Sequence, residues 1–143
     1  MKKLLIFTGL LICMLGTQQL LAAKPFAEEK VVLQISDPDP SKQTQVLNVA
    51  SNVIKHYGPD KVDVEIVAFG PGLRLLFKDN NNSSRIDGLN QNGVRFAACQ
   101  NTVKKMTALL GEKPELHANA TPVPAGVVRI IELQNQGYKL IKP

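Results

Sequence analysis

Apolar and polar positions alternate in short blocks along this chain. KVVLQIS (30–36) is a β-branched apolar run of buried-strand type. DPDPS (37–41) breaks it and supplies side chains that cap a helix. From Lys42 to Tyr57, Val46, Ala50, Val53 and Tyr57 recur at helical spacing, and Leu47 and Ile54 widen the stripe. Gly58-Pro59-Asp60 ends that helix. KVDVEIVAF (61–69) alternates and then turns fully apolar, which predicts a second strand. Gly70-Pro71-Gly72 predicts a tight turn before a short helix around 73–77. KDNNNSSRIDG (78–88) is polar and turn-rich, so it reads as a surface loop, with a short helix over 84–91. GVRFAAC (93–99) is a third strand. The helix of 100–111 follows, with Val103, Met106, Leu109 and Leu110 on one face and Gly111 as terminator. ATPVP (120–124) holds a short fourth strand, 125–137 a helix closed by Gly137, and YKLIK (138–142) a last strand.

Strands and helices thus alternate five strands deep. Short apolar strands joined through helices imply right-handed crossovers and a mostly parallel sheet covered on both faces. The expected fold class is α/β, a flavodoxin-like three-layer sandwich with a five-stranded sheet. In such sheets the working crevice lies beyond the carboxyl ends of the strands.

The first block does not fit this pattern. Lys2 and Lys3 precede an apolar run from Leu4 to Leu15, then Gly16-Thr17-Gln18-Gln19, then Ala22-Ala23. That is the layout of a secretory signal peptide, so residues 1–23 are expected to be removed and 24–143 to form one domain. The run is too short to serve as a mature membrane anchor. Ile12 before Cys13 is not the small residue that lipidation requires. The exported product is expected in the periplasm, with residues 24–29 as a loose leader.

Charge excludes more than it suggests. The formal net charge is +5, from 17 Lys and Arg against 12 Asp and Glu, with no run of either sign, and the leader lysines account for two of it. Nothing resembles a nucleic-acid stripe or a polybasic membrane patch. There is no Trp, which argues against a stacking platform for single strands.

Cysteine usage narrows the chemistry. With Cys13 removed, Cys99 stands alone in a compartment where a pair would form a disulfide. It ends the third strand just before a helix, where free N–H groups and the helix dipole favour a thiolate. Asn101 or Thr102 is the expected N-cap, and the nearby amides could hold an anion or a persulfide. Gly70 follows the second strand on the same edge and is expected to wall the pocket. His117, in the loop ELHANATPVP, could swing towards the edge as an imidazole partner. His56 reads as a capping side chain at a helix end. One cysteine and two scattered histidines have no metal-ligand spacing. The GPG turn lacks GxGxxG and P-loop patterns, so no cofactor is expected. A buried, inert Cys99 in a non-catalytic binding module is the alternative.

Three segments carry a family resemblance: VDVEIVAFGPGLRLL (62–76), GVRFAACQNT (93–102) and VPAGVVRIIELQNQGYKLIKP (123–143). The chain resembles the DsrE/DsrF-like family in its exported form. That resemblance implies a flavodoxin-like sandwich assembled into homotrimers or homohexamers. It also implies sulfur-relay chemistry, in which Cys99 accepts sulfane sulfur from a donor as a persulfide and passes it to an acceptor.

Overall fold

The computed structural model describes residues 24–143. The export leader expected over 1–23 lies outside the described residues. The elements run β1 (Glu29–Ile35), α1 (Pro40–Tyr57), β2 (Val62–Ala68), a 3₁₀ segment (Gly70–Leu76), α2 (Ser83–Gln91), β3 (Arg95–Cys99), α3 (Gln100–Leu110), β4 (Ala120–Val123), α4 (Gly126–Asn135) and β5 (Lys139–Ile141).

All five strands pair in parallel, in the order β4-β3-β2-β1-β5. This order decides the layers. The first three crossovers step the same way across the sheet, so right-handed connections carry α1, α2 and α3 over one face. The β4-to-β5 connection returns past β1 to the far edge, so α4 lies on the opposite face. Two cores follow. Val31, Leu33, Ile35, Ile66 and Phe96 pack with Val46, Leu47 and Ala50 of α1 and Val103 of α3. Val32, Val67 and Ala97 pack with Ile130 and Leu133 of α4 and with Tyr138.

Local chemistry sets the boundaries. Asp39 accepts the Ser41 N–H at 2.7 Å and Pro40 opens the helix, so α1 begins where the DPDPS signal predicts. Gly111 ends α3 in the left-handed region, φ +78°, which a residue with a Cβ adopts reluctantly. β2 is buried at all seven positions, as befits a strand covered on both faces.

Several expectations are corrected. Gly70-Pro71-Gly72 is the first turn of the 3₁₀ segment, not a separate tight turn before a helix. Residues 24–29 are not loose: the Lys24 N–H donates to the buried Asp63 carboxylate at 2.8 Å, and the Lys24 ammonium reaches the carbonyls of Pro59 and Val62. The last strand is an exposed three-residue edge. Tyr138 precedes it and turns inward, 3% exposed. Leu109 and Leu110, read with Val103 and Met106 as one apolar face, are 74% and 52% exposed. Helix α3 packs on β3 and the 3₁₀ segment through Val103 and Met106, and its last turn lies outside that contact.

The face under α4 holds a cluster of charges. Asp63 and Glu65 of β2, both fully buried, alternate with the apolar residues of a strand whose two faces are covered. Arg95 Nη1 meets Asp63 Oδ1 at 2.7 Å, as an ion pair rather than an aligned hydrogen bond. The Tyr138 hydroxyl donates to Asp63 Oδ2 at 2.6 Å and accepts from Arg95 Nη2 at 3.0 Å. Burial first, and then the Asp63 hydrogen bond, push the Tyr138 hydroxyl up to about 12, against the pull of Arg95. The native state therefore favours the neutral phenol. That contribution is complete below pH 10, the ordinary value, and is lost as pH rises through about 12. Thermal melts should show Tyr138→Phe converging on wild type across that window. Parallel melting curves up to pH 12 would show that the hydroxyl does not couple to folding.

Candidate functional site

Cys99 closes β3 and is the N-cap of α3, so the N-cap is not Asn101 or Thr102 as the residue preferences suggest. Its register partner is Val123 of β4, and three residues later Gly126 opens α4. The N-termini of α3 and α4 thus both reach the carboxyl edge of the sheet beside one sulfur. Each presents N–H groups without intrahelical acceptors and the positive end of its dipole.

Four donors act on the sulfur. Burial pushes the Cys99 thiol up, since the residue is only 5% exposed. The Thr102 hydroxyl, and then the N–H groups of Gly126, Thr102 and Asn101, outweigh it and hold the thiol below its ordinary 9.0. The neutral thiol makes no formal cap bond; what these donors favour is the charged form. They are uncharged, so the thiolate is stabilised by oriented dipoles rather than by a cation.

Thr102 Oγ1 also has a contact on the other side. The Gly70 N–H donates to Thr102 Oγ1 at 2.9 Å. That contact engages one lone pair of the hydroxyl that also lowers the Cys99 thiol pKa. Gly70 therefore belongs to the site through its backbone N–H. Its φ of +52° lies in the left-handed region that favours glycine, although a Cβ there would meet Ser36 O only at an ordinary 3.8 Å. Asn101 contributes through its main chain: its side chain is exposed, and its N–H also approaches Pro124 O at 3.4 Å.

His117 stands apart from these groups. It is 8% exposed rather than on a surface loop, its Nδ1 accepts the Asn119 N–H at 3.2 Å, and its Nε2 lies 3.5 Å from Asp87. It braces the loop before β4 against α2. His56 packs edge-on against Tyr57 in the last turn of α1. Beside the α3 N-terminus runs an open groove of about 620 Å³, lined by Gln100, Lys78, Lys113, Leu116 and Pro122 among others. Among the described residues no group of three or more His, Cys, Asp or Glu comes together as a metal site.

Gly126 was not legible from the chain. It sits at the α4 start with Phe69 against it; an added Cβ would lie 2.9 Å from Phe69 Cβ. A signal did exist for the charge cluster. Two acids two residues apart in an apolar strand, and one Arg inside the apolar run GVVRII, needed partners.

A family model, the DsrE/DsrF-like family, matches residues 29–143. The chain belongs to the DsrE/DsrF-like family. The match spans every strand and helix from β1 to β5, including the Cys99 junction. Among solved structures, a chain of similar fold is MTH1491, a protein of unknown function from Methanobacterium thermoautotrophicum. It is 28% identical, with a TM-score of 0.73, over 81% of this chain and 100% of that one. No curated protein matches the chain.

Proposed function

We propose that this DsrE-like protein is an exported sulfur carrier that works through a persulfide on Cys99. The single observation behind this reading is the place of one buried cysteine, at the carboxyl edge of the sheet where β3 runs into α3 and its register partner Val123 leads into the start of α4. The chemistry needs no cofactor. The Cys99 thiolate attacks the outer sulfur of a donor such as thiosulfate. The S–S bond of the donor breaks and sulfite leaves with its electron pair. Cys99–S–S⁻ remains, its charge held by the donors that favour the Cys99 thiolate. An acceptor thiolate then attacks the terminal sulfur, takes it as its own persulfide and returns Cys99 as thiolate. The donor and acceptor are a small sulfur compound or a protein thiol.

Two further parts of the reading concern assembly and place. The outer face of α4 exposes Val127, Val128 and Ile131, each more than half accessible. An apolar stripe of that kind suits self-association into the homotrimer or homohexamer implied by the family. The block Lys2 to Ala23 supports export to the periplasm. One observation favours a second reading, a binding module in which Cys99 only packs: the side chain is 5% exposed.

Mass spectrometry separates the two. After incubation with thiosulfate or polysulfide, the protein should carry one added sulfur on Cys99, removed by dithiothreitol and absent from Cys99→Ser. An unmodified Cys99 under both donors, with alkylation no faster than that of a buried inert thiol, would sink the carrier reading.

A further inference from the structure

The inner face of α4 carries a charge at its centre. Gly126, Ile130 and Leu133 are buried at the spacing of one helix face, and Arg129 stands among them, three residues after Gly126. Its guanidinium grips Glu65 in two bonds, Nε to Oε1 at 2.7 Å and Nη2 to Oε2 at 2.8 Å. Glu65 is fully buried in β2 and is held from the other side by Arg95 Nε at 3.1 Å. The Glu65 hydrogen bond is the main influence that raises the Arg129 guanidinium pKa, against its partial burial.

The rest of the contact between α4 and the sheet is apolar packing of Ile130 and Leu133 on Val32, Val67 and Ala97. Such packing is non-directional and leaves a helix free to turn or slide by small amounts. A bidentate guanidinium–carboxylate pair fixes both rotation and depth. It does so one helical turn from the amide that faces Cys99. The approach is close, because the backbone at Gly126 leaves no room for a Cβ beside Phe69.

We infer that the Glu65–Arg129 pair is a positioning element for Cys99, holding α4 at the depth and rotation that bring its first turn to the strand edge beside the sulfur. The inference rests on reading Cys99 as a reactive thiol. Glu65 and Arg129 do not touch the sulfur; they act through α4. The groups that face the sulfur from α3 and α4 are a hydroxyl and backbone amides, so the pair works by geometry and not by its own charge.

The test is the titration of Cys99 in full-length processed protein, followed by thiolate absorbance and by iodoacetamide rate against pH. Arg129→Met should raise the thiol pKa and lower the rate near neutral pH roughly three- to tenfold, as expected where a hydrogen bond to a charged group is weakened rather than lost. Arg129→Lys keeps the charge but not the fork, and should fall between that variant and wild type. It also supplies the measurement should Arg129→Met not fold. Gly126→Ala, which displaces the same amide through Phe69, should shift the profile in the same direction. Tyr138→Phe breaks the cluster at its Asp63 end and should lower the melting temperature without moving the profile. Unchanged profiles in the folded Arg129 variants, or an equal shift in Tyr138→Phe, would overturn the positioning role. A wild-type thiol with an ordinary or raised pKa would instead remove the carrier reading itself, whatever the variants do.

Discussion

Glu65→Ala should cost this protein about 3–5 kcal/mol, the typical loss when one partner of a buried ion pair is removed. Glu65 is fully buried and serves two guanidinium groups. Without it, Arg129 keeps only Glu132, 3.7 Å away and half exposed, while Arg95 keeps Asp63 at 2.7 Å. The arginine on α4 is thus the one stranded under an apolar face. For a domain of this size the loss corresponds to a melting temperature lower by on the order of 10–20 °C. The double replacement Glu65→Met with Arg129→Met should recover much of it, because well-packed apolar residues in place of a buried pair are often neutral. A full double-mutant cycle by thermal melts checks this. Additive losses would mean that the two side chains do not couple across the α4–sheet contact.

Thr102→Val should have the largest effect on Cys99. Valine matches threonine in shape, but it removes the donor to the sulfur and the acceptor for the Gly70 N–H. A hydrogen bond to a charged group is worth about 1.5–3 kcal/mol, so the thiol pKa should rise and alkylation near neutral pH should slow about tenfold or more. The orphaned Gly70 N–H should cost a further ~1–3 kcal/mol in stability. Thr102→Ser keeps the hydroxyl and should keep most of the reactivity. The pH dependence follows from the sign of the Cys99 shift. The folded pKa lies below the ordinary 9.0, so the native state favours thiolate. That contribution is full above 9.0 and is lost as pH falls through the folded value. Thr102→Val should shrink this window, and Cys99→Ser should abolish it. Equal rates in wild type and Thr102→Val would show that the hydroxyl does not govern the sulfur.

Most of the element order was written locally in the chain. The DPDPS cap, the stripe of Val46, Leu47, Ala50 and Ile54, and the glycine after Leu110 each act within a few residues, and α1 and α3 fall where those signals place them. The Cys99 junction was legible for the same reason, since an apolar strand running into a helical pattern is a local feature. What escaped depends on which strands become neighbours. The register of Cys99 with Val123 brings the start of α4 to the sulfur, and no pattern within either segment announces that pairing. His117 looked like a loop residue because its sequence surroundings are polar, yet the bridge of Phe77 to Leu116 draws that loop inward. Leu109 and Leu110 show the converse. Helical periodicity marks a stripe as apolar, but it does not say how far along the helix a covering surface extends.

The amide of Gly126 reaches Cys99 from far downstream in the chain. During synthesis, a chain that ends before α4 carries a cysteine with an incomplete set of donors. The sulfur acquires its full acidity only after β4 has zipped onto β3 and α4 has docked. The lowered pKa of Cys99 is therefore a property of the finished fold. A nascent or partly folded chain carries a thiol of more ordinary acidity.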